Sequence, residues 1–245
     1  MPTIRLALIL TVLLPALCAA CRSTPTHPAL NLRLKRELDS IEVVDQHYRK
    51  LMVGGTTMNS RFDSVARAAG IPPEQVGPYL SRRMSAQDST NVVRIAQIID
   101  QYGYPGRTLV GTPTNEVALL VIQHSTRIPQ YLPLVKHMAD KGEVDFYLYA
   151  RMLDRHLMYQ GQEQIYGTQG CGYSVPNPTT GQHDWIKFIW PIKDAAHVNE
   201  RRKKAGFDST VEANAQRLGI QYKPMTLDEA KRIEQAAKAA PPSHP

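Results

Sequence analysis

Thr112 to Thr126 runs TPTNEVALLVIQHST, and Val117 to Ile122 within it is apolar without a break. Thr112 is placed to accept from an orphan backbone N–H, Pro113 tolerates the first helical position, and Glu116 faces the positive end of the dipole. A helix that is hydrophobic all round is buried by its neighbours, so other helices must surround this one. Gln123 and His124 follow at once, with His124 on the helical face of Val117, Leu120 and Val121. A polar pair at the exit of a buried helix needs partners.

Apolar stripes supply the neighbours on both sides. Upstream, Leu30 to Met52 reads as a helix with Leu34, Leu38, Ile41 and Val44-Asp45 along one side, stopped by Val53-Gly54-Gly55. Asp45 and Arg49, four apart, can pair across one turn; a surface ion pair accounts for them. Two short helical pieces, Arg61 to Ala69 and Glu74 to Arg83, are split by Gly70-Ile71-Pro72-Pro73. Ser85 and Asp88 then have the spacing of a capping box before the stripe Val92, Ile95, Ala96, Ile99 and Tyr102, which stops at Gly103.

Downstream, Tyr131, Leu134, Val135 and Met138 lie between Pro129 and Gly142, with Pro133 expected in the first turn. A further helix runs from about Val144 to Gln160 with Phe146, Tyr149, Leu153 and Leu157 inward. After Gly161 the period changes. A turn signal over Pro176 to Gly181 and the aromatic, β-branched run Trp185 to Trp190 predict a small hairpin between about 165 and 190. Short helices near 194–205 and 210–218 and a third near Leu227 to Ala239 complete the chain. The expected fold is mostly α, an antiparallel helical bundle carrying one β-hairpin, because short loops favour antiparallel neighbours.

The ends read differently. Arg5 precedes an apolar run, Leu6 to Leu17, followed by Cys18-Ala19-Ala20-Cys21. That run is about 12 residues, short of the roughly 20 needed to span a bilayer, so residues 1–20 read as a signal peptide. Small residues before Cys21 resemble a bacterial lipobox, which makes Cys21 the expected lipid carrier and residues 21–29 a tether. The chain is then exported, held at the bacterial cell envelope by its lipid and otherwise soluble. Residues 30–240 form one expected helical domain, and 241–245 a disordered Pro-rich tail.

With Cys18 removed and Cys21 at the new terminus, Cys171 alone remains, so neither a disulfide framework nor a multi-cysteine zinc site can be assembled. The formal net charge is +7. Its densest run, Arg201 to Lys204, lies in a short helix without interleaved aromatics or a reader motif, so no nucleic-acid partner is expected.

The polar residues form a series: Asp45-Gln46 with Arg49, Tyr102-Gly103 with Pro105, Val110-Gly111, Gln123-His124, Asp154-Arg155, Gln164-x-Tyr166-Gly167-Thr168-Gln169, then Arg201-Arg202 and Gly206. Over Leu34 to Gly206 this resembles a bacterial family of unknown function, domain-of-unknown-function family six-six-two-four. Residues 54–84 look like a variable insertion. The resemblance implies relatives and no assigned activity.

Within the series Gln123, His124, Tyr166, Thr168 and Gln169 are the candidate ligand-binding residues, and His124 with Asp154 the candidate catalytic pair. Gln123, His124, Asp154, Tyr166 and Gln169 are expected to converge, since each is costly to bury alone. His137, Asp154 and His156 lack the spacing of a metal set, and no metal or cofactor is expected. Gly167 suggests close backbone approach or positive φ. The reading favoured is a non-enzymatic envelope protein binding a small-molecule or protein partner through the Gln-His and Tyr-Gly-Thr-Gln surface. The alternative is a hydrolase-like enzyme with His124 as general base oriented by Asp154.

Overall fold

The computed structural model describes residues 29–52 and 57–239. The expected signal peptide, Cys21, the expected tether up to residue 28, the expected Val53-Gly54-Gly55 stop and the expected tail over 241–245 lie outside the described residues. Among the described residues the fold is mostly α, with ten α-helices and one two-stranded antiparallel hairpin.

The frame is a pair of long helices, α1 (Leu32–Met52) and α3 (Val76–Tyr102), joined through α2 (Thr57–Ala69). They run antiparallel: Glu37 near the start of α1 pairs with Arg94, and Tyr48 near its end accepts from Arg83. The two pieces expected before and after Ser85 are one continuous helix. Ser85 does not cap it; its carbonyl accepts from the Ser89 hydroxyl, and Asp88 turns away to Arg49. Capping-box spacing occurs in mid-helix too, because it is also the i,i+3 spacing of one helical face.

α4 (Arg107–Val110), a helical turn where a plain loop was expected, leads to a 3-10 turn over Thr114–Glu116 and α5 (Val117–Ile122). The expected Thr112 cap is absent: its hydroxyl accepts from Arg107, and the 3-10 turn separates it from the helix. Thr114 is buried instead and links to α1 through Lys35 and Asp39. In α5, Val117, Ala118, Leu119, Val121 and Ile122 are sealed from solvent, and the helix touches α1, α3, α6 and α7. Leu120 alone is partly exposed.

Two more helices close the bundle, α6 (Ile128–Asp140) and α7 (Phe146–Tyr159). α6 begins earlier than expected, so Pro129 takes the first turn and Pro133 lies inside the helix, forgoing the bond to the Pro129 carbonyl. On α7 the sealed residues are Leu148, Tyr149, Ala150, Met152 and Asp154, whereas Phe146 and Leu153 are only partly buried and Leu157 lines an edge. The stripe is rotated because α7 is covered on two sides, by α6 and by the loop before the hairpin.

That hairpin pairs β1 (Gly170–Pro176) with β2 (His183–Ile189), in register from Gly170 opposite Ile189 to Pro176 opposite His183. Its base packs on α8 (Val198–Lys204) and α9 (Val211–Arg217), its aromatic side on α10 (Leu227–Ala239).

Leu119→Ala should cost about 2–5 kcal/mol, as truncation inside a packed core does. Leu120→Ala, at the partly exposed position, should cost less. Urea unfolding of both variants measures the difference, and equal small losses would mean that α5 is not the centre of the core.

Candidate functional site

Two polar networks flank α7, and the chain distributes the predicted residues between them. The first stands at the exit of α5. There the chain turns sharply: His124 N–H bonds the Val121 carbonyl, and the Ser125 hydroxyl donates to the Ile122 carbonyl while accepting from Arg127 N–H. This holds the His124 ring against α1. Its Nδ1 lies 3.3 Å from Asp45 Oδ2, within ion-pair distance but off the line of a hydrogen bond.

Asp45 is not a surface residue. It is 2 % exposed, and Gln46 Nε2 donates to its Oδ2 at 2.8 Å. Arg49 donates to the Asp45 carbonyl at 2.6 Å and reaches across to α3, where one terminal nitrogen donates to both Asp88 oxygens at 2.8 Å. The expected Asp45–Arg49 pair therefore exists, at 3.6 Å, as one side of a network tying α1, α3 and α5 together.

Burial alone pushes the Asp45 carboxyl up. His124, Arg49 and the Gln46 amide outweigh it and hold the group below the usual carboxylate range. Asp45 Oδ1 and His124 Nδ1 are both buried without a hydrogen bond. Each retains unused bonding capacity, which is costly away from water.

The exposed part of the His124 ring faces a cleft of about 360 Å³. Gln123, His124 and Thr126 line one wall, and His156, Tyr159 and Gln160 at the end of α7 the other. Behind Gln123, Arg155 donates to the Gln123 carbonyl at 3.4 Å, and its Nε is buried without a partner. No carboxylate lines this cleft, and Arg155 is in no ion pair among the described residues.

Asp45, Asp88 and His124 bring one ligand-type atom each to within 4.8 Å of one another, the one such trio among the described residues. The Arg49 guanidinium already sits on both carboxylates, so a metal cation entering there competes with a bound cation. His137, Asp154 and His156 form no such group among the described residues.

The second network lies on the other side of α7. Asp154 is fully buried, and its oxygens accept from the N–H groups of Ile165, Tyr166 and Thr168 at 2.8–3.2 Å. Burial raises the Asp154 carboxyl above its ordinary value, and these three donors oppose the rise. Gln164 bridges the loop to the hairpin, donating to the Gln169 and Trp190 carbonyls and accepting from Gln169 N–H. The Gln169 amide donates to the Thr168 hydroxyl and the Arg151 carbonyl. Gly167 has a φ of 66°, and a Cβ there would lie 2.7 Å from both Ile192 and Val211. Both expectations for that glycine hold together.

Gln123 and His124 thus meet, while Tyr166, Thr168 and Gln169 belong to the latch that fixes the 164–169 loop to α7. Tyr166 stacks toward Phe207, with ring centroids 5.9 Å apart. The carboxylate beside His124 is Asp45 and not Asp154. Adjacent helical residues point about 100° apart, so Asp154 serves the latch and Arg155 the cleft. Reading the sequence missed Asp45 as a buried partner and Asp88 as its companion. The one signal was Asp45 beside Val44 on the apolar side of its helix.

A carboxyl whose folded pKa is depressed stabilises the fold above its unfolded value, about 3.9 for Asp, and loses that contribution as pH falls through the folded pKa. Asp45→Asn should therefore lower Tm at neutral pH and show a flatter decline than wild type below about pH 4. Thermal melts across an acid pH series measure this, and parallel acid limbs would refute it.

A family model described as a family of unknown function, DUF6624, matches residues 69–219. No curated protein and no solved structure matches the chain. The match begins at the end of α2 and runs through α9, so it contains Asp88, His124, Asp154 and the whole latch, while α1 with Asp45 and Arg49 precedes it. It covers well over half of the chain, which belongs to the DUF6624 family of unknown function.

Proposed function

We propose that this is an exported bacterial envelope protein, anchored by a lipid on Cys21, that binds a small polar molecule in the His124 cleft. One observation carries the reading. His124 is neither sealed in the core nor free at the surface: one edge rests on a buried carboxylate, and the other faces a cleft whose walls mix polar groups with Ile128, Pro129 and the Tyr159 ring. Unmet hydrogen-bonding capacity lies close by, at the buried His124 Nδ1 and Arg155 Nε. Buried polar atoms of this kind are rare unless they serve a ligand or water. The Tyr-Gly-Thr-Gln half of the expected surface drops out of the proposal, because its backbone and amide groups are spent on the latch.

A second reading is carried by Asp45. A carboxylate 3.3 Å from Nδ1 favours a proton on that nitrogen, which leaves Nε2 able to take one from a bound substrate. In this form the chain is an acid–base enzyme with Asp45, rather than Asp154, orienting His124. The binding reading comes first because a hydrolase of this kind also needs a nucleophile. The Ser125 hydroxyl is committed to the Ile122 carbonyl. Burial pushes the Cys171 thiol up to about 12, so it stays protonated.

His124→Gln separates site from scaffold. Thermal shift against a library of small polar metabolites should yield compounds that raise Tm in wild type and not in the variant, whose unliganded Tm stays close to wild type. Mass analysis of each compound after incubation separates binding from turnover. A variant that unfolds, yet binds in proportion to its folded fraction, returns His124 to a structural role.

Labelled palmitate should enter the wild-type chain in cells and not Cys21→Ser. A free mature N-terminus on a protein recovered in the soluble fraction would remove the anchor and leave the export step standing.

A further inference from the structure

A second pocket, of about 180 Å³, shares none of the lining residues of the His124 cleft. Three arginines reach it from three helices: Arg151 from α7, Arg202 from α8 and Arg217 from α9. Ser209 and Asn214 add polar groups, and one carboxylate, Asp208, is also at its wall. None of the three arginines is in an ion pair among the described residues.

Their hydrogen bonding is unequal. Arg202 is almost fully committed: it donates to the Ser209 carbonyl, the Ser209 hydroxyl and the Tyr166 carbonyl, and lies 4.3 Å over the Phe207 ring. Arg217 gives one nitrogen to Asn214 Oδ1 at 2.9 Å. The Arg151 guanidinium, partly buried, donates to no acceptor among the described residues. Burial, then Arg217 and Arg155, hold Arg151 below its ordinary pKa. Guanidinium groups are brought together out of water only at a cost that pairing must offset.

We propose that Arg151, Arg202 and Arg217 form an anion pocket that takes a phosphate group. Three arginines against one aspartate leave a formal charge of +2 at the wall. A phosphate, at about −1.5 to −2 near neutral pH, matches that balance; a carboxylate matches half of it. The size agrees. The pocket is several times the roughly 30 Å³ share of one water but below the ~300–1,000 Å³ of pockets that enclose whole drug-sized ligands. It accommodates the oxyanion, free or carried by a larger molecule that stays outside. Arg151 and Arg217 retain forked donors for bidentate bonding, and Arg202 supplies fixed charge.

The test uses the purified full-length chain with inorganic phosphate as probe, against acetate and chloride at matched pH and ionic strength. Phosphate should raise Tm saturably in wild type, with acetate and chloride giving little. The shift should be lost in Arg151→Gln and weakened at least tenfold in apparent affinity in Arg217→Gln. Arg217 is exposed, so its variant is expected to fold even where Arg151→Gln does not. His124→Gln should respond to phosphate as wild type does. Absence of a saturable phosphate effect, an equal effect of acetate, or an undiminished response in Arg217→Gln would each overturn the proposal. Loss of the response in His124→Gln alone would move the anion to the other cleft and overturn it as well.

Discussion

A helix of six residues, five of them sealed from solvent, has no stability of its own; it exists because four longer helices enclose it. That enclosure is the constraint on which the rest depends. The chain must leave α5 inside the bundle, so Gln123 and His124 begin their turn where water is scarce. The neighbouring helices then have to present polar groups at that level. α1 does so with Asp45 and Arg49, and α3 with Asp88. A carboxylate buried without these partners would protonate or force the helices apart. With them it joins α1, α3 and α5 at a fixed level, and the His124 cleft is the remaining open side of that junction.

The second half of the chain solves a different problem. A Gly- and Gln-rich loop cannot bury enough apolar surface to order itself, and its backbone donors must be met. Asp154 meets three of them with one side chain. The loop is thereby fixed to α7, the hairpin is fixed to the loop through Gln164, and α8 and α9 close over it through Arg202 and Asn214. Asp154 is thus a structural residue with the look of a catalytic one. What distinguishes it is the identity of its partners, all of them in the 165–168 loop and most of them backbone.

Much of the fold was legible because it rests on periodicity. The helices α1, α3, α5 and α6 and the hairpin follow from apolar spacing and turn residues, and the structure has them, although Val44 and Tyr102 of the expected stripes are exposed. Interruptions were less legible. Ser85 and Asp88 resemble a helix start, and Pro133 a first turn, because capping and proline preferences act locally while continuous burial of a long helix overrides them. The candidate site was half legible. His124 stands out as a polar residue after an apolar run. Asp45 does not, since an i,i+4 acid–base pair is an ordinary surface motif and only tertiary contact with α5 makes it a buried one. Tyr166, Thr168 and Gln169 misled for the opposite reason. Their side-chain chemistry suits a ligand, but the backbone around them had the greater unmet need.

α7 emerges as the element that divides these roles. Asp154 faces the latch, while burial lowers the pKa of both Arg151 and Arg155, four residues apart, with Arg217 and Arg155 adding to the lowering at Arg151 and Arg49 to that at Arg155. Arg151 borders the small pocket, and Arg155 bonds the carbonyl of Gln123, a residue of the His124 cleft. Neither has a carboxylate partner among the described residues. Two like charges held one helical turn apart repel, so an anion that neutralises one relieves the other as well. The repulsion is modest at a distance of one turn, but it acts through a partly buried helix where solvent screening is weak. An anion held at Arg151 would therefore ease the burial of its arginine neighbours without any movement of the backbone.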